Sequence, residues 1–228
     1  MQLRLTKKVD HPTIIVGFPG IGLVGPIVTE FLIDHMKTER IGTFEYNELP
    51  PMVPIHKGAL VHPMAVHYSE KYNTIIVYTI LNLKQSEWAI AKTIAELAKE
   101  CNAKEILCID GANTVGDEKE TIFGFGNERL LALGAKPMTE SVIIGVSAAL
   151  LISAPSTSCV FAATQQELPD SKAAATVVQF LDKYLGLEVD YQPLLAQAAE
   201  FEQKLKTVMT QTQQAFDAKE RKSMDYLG

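Results

Sequence analysis

The chain reads as a three-layer α/β/α sandwich built on a mostly parallel sheet. Three observations predict this. Continuous, largely apolar runs at 13–18, where β-branched residues dominate, 106–109 and 158–162 have the length and composition of strands buried on both faces. Stretches with apolar residues every three or four positions fall between the runs, as crossover helices do. Proline or glycine punctuates many of the junctions.

The elements follow in order. The strand at 13–18 is bounded by Pro12 and Pro19, and a helix over 24–36 follows it. Pro26 suits the first turn of that helix, where a missing N–H costs nothing. A second strand covers 40–46. Leu49-Pro50-Pro51-Met52-Val53-Pro54 cannot be helical, because its prolines force extended or turn conformations. Residues 61–68 and 72–81 form paired strands joined by a polar turn at 69–71. Ser86 caps a helix over 87–100 whose inner face carries Ile90, Ile94 and Leu97. The strand at 106–109 ends at Asp110-Gly111, and a long polar, glycine-rich connection runs over 112–127. A short helix at 127–133, a brief strand at 142–144, a small apolar helix beginning over 147–152 and a strand at 158–162 come next. Asp170 caps a helix over 171–185, which Gly186 ends.

After Asp190 the pattern changes. Leu194, Ala198, Phe201, Leu205, Val208, Thr212 and Phe216 recur at steps of three or four. A helix over 194–222 would reach about 40 Å at 1.5 Å per residue. The chain therefore divides into a sandwich domain at 1–190 and a helical extension with a flexible tail at 191–228. The stripe on the long helix serves packing on the parent domain or pairing with a second copy, with Phe201 and Leu205 as its central band.

Composition narrows the function. The net charge of −6, with scattered lysines and arginines, argues against nucleic acid or an anionic membrane as partner. No apolar stretch approaches the roughly 20 residues of a membrane span, and no signal-peptide layout opens the chain. Cys101, Cys108 and Cys159 are widely spaced and odd in number, which argues against a disulfide framework and fits a reducing cytoplasm, and Cys108 and Cys159, in apolar runs, read as small core residues. His62 and His67 lie five apart on a strand and face opposite ways, and His11, His35 and His56 lack ligand-like neighbours. No metal site is expected.

The most informative motif is Gly17-Phe18-Pro19-Gly20-Ile21-Gly22-Leu23-Val24-Gly25. Gly20, Gly22 and Gly25 have the spacing of a dinucleotide-binding turn directly after a strand, with Glu45, 25 residues beyond Gly20, as the acidic residue for a ribose. On that reading Gly20, Ile21, Gly22 and Gly25 hold a phosphate or nucleotide at a helix N-terminus, in an enzyme or sensor. Asp110 and the acidic loop carrying Asn113, Asp117, Glu118 and Glu120 would lie beside it at the C-terminal edge of the sheet, suited to a polar substrate or a divalent cation. Against this, Pro19 stiffens the loop, Pro26 follows it and its side chains are apolar. The same glycines equally allow a tight strand-to-helix turn with close packing.

Four segments resemble the proteasome assembly chaperone family. They are IIVGFPGIGLVGPIVTEFLI, ELPPMVPIHKGAL, KEILCIDGAN and LPDSKAAATVVQFLDKYLGLEVDYQPLLAQAAEFEQKL, which run in family order from Ile14 to Leu205. The resemblance implies an α/β/α sandwich similar to nucleoside phosphorylases. It also implies a non-enzymatic, cofactor-free binding protein that acts as a homo-oligomer on proteasome α subunits. Related members dock through a C-terminal tail of hydrophobic-Tyr-any type. The tail here is Tyr226-Leu227-Gly228, with the tyrosine third from the end and Asp225 before it. It departs from the family pattern at both points.

Overall fold

The computed structural model describes residues 1–46, 55–56, 59–60, 62–81, 85–113, 121–164, 169–190, 207 and 210. A short strand β1 (Gln2–Leu5) precedes β2 (Thr13–Gly17), a 3-10 turn at Ile21–Leu23 and helix α1 (Val24–His35). β3 (Glu39–Glu45) follows, then the small hairpin β4 (Ile55–His56) and β5 (Ala59–Leu60). β6 (Met64–Ser69) and β7 (Thr74–Thr79) form an antiparallel pair, and α2 (Glu87–Glu100) crosses from them to β8 (Glu105–Asn113). The second half is β9 (Ile122–Phe125), α3 (Glu128–Ala132), β10 (Lys136–Pro137), α4 (Gly145–Ser153), β11 (Thr157–Thr164) and α5 (Ser171–Leu185).

Nine strands make one sheet in the order β1-β3-β6-β7-β2-β8-β11-β9-β10. Only its centre is parallel throughout: β7, β2, β8 and β11 run the same way. β1, β3, β6 and β7 are joined antiparallel, as are β11 and β9, while β9 and β10 are parallel. The sheet is mixed, which corrects the expectation of a mostly parallel one. The physical reason is connection length: a turn of a few residues between β6 and β7 can only produce a hairpin, whereas a parallel neighbour needs a crossover.

Alternation along the central strands sorts the core into two layers. Ile14 and Val16 of β2, Ile106 and Cys108 of β8, and Cys159 and Phe161 of β11 face α2 and α4. Ile15, Leu107, Ile109, Val160 and Ala162 face α1, α3 and α5. Continuous apolar runs in these strands thus reflect burial on both faces. Asp170 caps α5, where its Oδ1 accepts the Ala173 N–H at 3.0 Å. Gly186, at φ 68°, ends that helix in the left-handed conformation.

Several sequence expectations change. β8 does not stop at Asp110 but runs on to Asn113, paired residue by residue with β11 up to Thr164. The connection predicted over 112–127 contains β9, which inserts beside β11. Residues 142–144 are not a strand, and Val142 and Ile144 are 86% and 71% exposed. Ser86 occupies the N-cap of α2 without a side-chain capping hydrogen bond. β1 and β10 were not expected. The segment at 49–54, the helix predicted over 194–222 with Phe201 and Leu205, and the tail Tyr226-Leu227-Gly228 lie outside the described residues, apart from helical Thr207 and Thr210. Among the described residues no helix is long and apolar enough to cross a membrane.

Candidate functional site

The glycine turn connects the end of β2 to α1 at the middle of the sheet. From β2 the chain departs toward β3 on one side, and from β8 it departs toward β11 on the other. Such a switch point leaves a crevice at the C-terminal ends of the strands, where open α/β sheets bind ligands. Gly22 has φ 64°, and Leu23 after it also lies in the left-handed region at φ 48°. The turn is therefore strained at a leucine, and is held by the Leu23 N–H donating to the Gly20 carbonyl and the Asp170 N–H donating to the Gly22 carbonyl.

Close approach explains the other glycines. A Cβ on Gly25 would lie 2.7 Å from the Ile109 carbonyl oxygen and 2.8 Å from that of Phe18. On Gly20 it would lie 2.1 Å from Asp110 Oδ1, and on Gly111 2.2 Å from the Ile21 carbonyl oxygen. The turn thus rests against the end of β8, with the Asp110 carboxyl at its back.

Asp110 is the most perturbed acid of the site. Its Oδ1 accepts the Gly111 N–H at 2.8 Å, and Oδ2 lies 3.5 Å from the Ser147 hydroxyl, at the outer limit of a hydrogen bond. Loss of hydration pushes its carboxyl up to about 7, against the lowering effect of both donors. It opens on a cleft of about 500 Å³ between the glycine turn, the end of β8 and the start of α4. Phe18, Ile21, Val142, Ile144, Val146 and Phe161 supply apolar wall, and Glu87 adds a second acid.

This geometry bears on each predicted residue. Gly20 and Ile21 line the cleft; Gly22 and Gly25 do not, and serve the turn's packing. Gly22 packs near Asp170 and Gly20 against Asp110, so two carboxylates flank the turn and work against a phosphate there. Glu45 cannot serve as the ribose acid: β6 and β7 separate its strand from β2, and its carboxylate pairs with Arg4 at 2.9 Å. Asn113 ends β8 at an exposed position, while Asp117, Glu118 and Glu120 lie outside the described residues.

Cys108 and Cys159 face each other across β8 and β11, fully buried. The neighbouring Cys159 thiol and burial push the Cys108 thiol well above its ordinary value, which disfavours a thiolate. His67 is held down at about 4 by burial and by the nearby Arg40. No group of three His, Cys, Asp or Glu side chains is placed for a metal among the described residues. Sequence reading missed Ser147 and Glu87. Their signal was weak, since neither belongs to a motif and only folding brings α4 against β8 and α2 against α4.

Fold and site together define a doubly wound α/β protein with a ligand-sized cleft at its switch point. The PAC2 family model matches residues 14–209, and the chain belongs to that family. The crystal structure of Pyrococcus furiosus PbaA, an archaeal homolog of proteasome-assembly chaperone, superposes with a TM-score of 0.85. It is 31% identical, over 94% of this chain and 98% of that one. Pyrococcus furiosus PbaB, an archaeal proteasome activator, shares the fold at a TM-score of 0.72 and 22% identity, over 91% of this chain and 98% of its own. An uncharacterized protein of Methanocaldococcus jannaschii is 27% identical over 210 residues, 89% of this chain and 87% of its own. The family read from the four sequence segments is thus the family found.

Proposed function

We propose that this protein is a proteasome-assembly chaperone that engages proteasome α subunits as a homo-oligomer and performs no catalysis. The likeness to PbaA over nearly the whole of both chains carries this reading. Recognition rests on surface complementarity, and the terminal helix with Phe201 and Leu205 supplies contacts between copies. Tyr226-Leu227-Gly228 acts as the docking element. The protein works in the cytoplasm.

A pull-down of proteasome α subunits from the native lysate by the full chain, quantified by mass spectrometry, tests the reading. The expected result is enrichment of α subunits that weakens at least fivefold on deletion of residues 224–228. Absence of α subunits from the full-length capture would sink the chaperone reading. Equal capture without the tail would sink the docking role of Tyr226 alone.

A further inference from the structure

We propose that the cleft at the C-terminal ends of β2 and β8 is a binding site for an organic cation, an ammonium or guanidinium on an apolar body, with Asp110 as its counter-charge. Size is the first support. About 500 Å³ lies inside the range of small-molecule sites, which run from roughly 300 to 1,000 Å³. Charge is the second. The cleft carries Asp110 and Glu87, and no Lys, Arg or His is among the described residues that line it. Among the described lining residues an anion would meet two acids and no counter-ion, and a wholly apolar ligand would cover the Asp110 carboxyl without pairing it.

The third support is construction. Gly20 lets backbone pack directly behind the carboxyl, where a side chain would displace it, and Gly111 lets the Ile21 carbonyl approach the strand beside it. Oδ1 is taken by the Gly111 N–H, while Oδ2 has the long contact to Ser147, leaving that oxygen able to accept a stronger donor. The walls then match an apolar body: Phe18 and Phe161 on the sheet side, and Val142, Ile144 and Val146 toward α4. Exposed Val142 and Ile144 gain a purpose as the rim of this cleft. A half-buried acid, an apolar wall and, among the described lining residues, no cation are together what a hydrophobic amine requires. None of this depends on the chaperone reading.

The test uses the full chain, with binding followed by calorimetry and by backbone amide shifts of Gly20, Gly111 and Ser147. The probes are 2-phenylethylammonium for a free amine, Nα-acetyl-arginine methylamide for a basic side chain of a bound protein, 2-phenylethanol as neutral isostere, and AMP as an anion. At least one cation is expected to bind saturably, at least tenfold more tightly than 2-phenylethanol. The tighter of the two cations assigns the source. Asp110→Asn is expected to remove at least tenfold of that affinity. Val142→Lys, at an exposed position, places a competing charge on the rim and is expected to weaken the cation in a chain that still folds. The proposal is overturned if neither cation binds at millimolar concentration, if 2-phenylethanol or AMP binds as well, or if either variant binds the cation like the parent chain.

Discussion

At the scale of single residues, Asp110 couples the site to the stability of the fold. An unfolded aspartate titrates near 3.8, and the folded carboxyl titrates at about 7 because burial removes its hydration. Between these values the folded chain holds a proton that the unfolded chain has lost, so this group makes stability fall as pH rises. The groups facing it do not reverse the sign: Gly111 and Ser147 donate hydrogen bonds, and the Cys108 thiol stays neutral. The gap between the two values caps the effect at about 4 kcal/mol, at about 1.4 kcal/mol per pH unit. Water at the open side of the cleft reduces the expected figure to about 1–2 kcal/mol. Asp110→Asn should therefore be more stable than the parent chain at pH 8 and lose that advantage by pH 4. Urea midpoints of both chains at the two pH values measure it; a gap that does not change with pH would mean the carboxyl is better solvated than its surroundings imply.

At the scale of elements, one kind of substitution is expected to cost unequal amounts at two glycines, Gly25 in the glycine turn and Gly134 after α3. Gly25 lies in α1 with ordinary helical geometry, where alanine would normally gain about 1 kcal/mol. Its Cβ would instead press on two backbone carbonyls, at 2.7 and 2.8 Å, which cannot move aside as a side chain can. Gly25→Ala is expected to destabilise the chain by about 3 kcal/mol or more. Gly134→Ala meets nothing within 4 Å, and only its positive φ of 101° opposes it, at a cost of about 1 kcal/mol. Thermal melts of the two variants separate steric closeness from backbone strain. A Gly25→Ala chain as stable as Gly134→Ala would show that α1 can slide away from β8.

Legibility in the sequence was uneven at this scale for physical reasons. Local signals were readable: Ile90, Ile94 and Leu97 marked the inner face of α2, and Asp170 and Gly186 marked both ends of α5. The place of a strand in the sheet is not a local property. Glu45 has a reasonable spacing from Gly20, yet its strand sits three places from β2. β9 was hidden because Ile122-Phe123-Gly124-Phe125 is short, carries a glycine and is flanked by polar residues, with only Ile122 and Gly124 buried. Val142 and Ile144 misled by their hydrophobicity, which lines a cleft rather than a core. Asp110 was legible as the end of a buried strand, but its apolar surroundings and Ser147 came only with the fold.

At the scale of the whole molecule, the two core layers lie within the sandwich. α2 and α4 close one face of the sheet and α1, α3 and α5 the other, and their buried members end at Leu187. Tyr72, in the β6–β7 turn, and His35, at the end of α1, reach the Leu187 carbonyl at 2.8 and 3.3 Å and tie the segment after α5 to that turn and to α1. Among the described residues the buried apolar core thus lies before residue 191. A chain cut after Asp190 is expected to remain folded and to melt in one transition, with stability lowered by no more than about 2 kcal/mol. If the terminal helix supplies the contacts between copies, the same cut leaves a monomer, whereas the full chain forms an oligomer. Light scattering on the two chains reads the mass, and circular dichroism reads the melt. A truncated chain that is unfolded would show that the extension belongs to the core. A folded one that keeps the full chain's oligomeric number would move the contacts between copies from the helix to the sandwich.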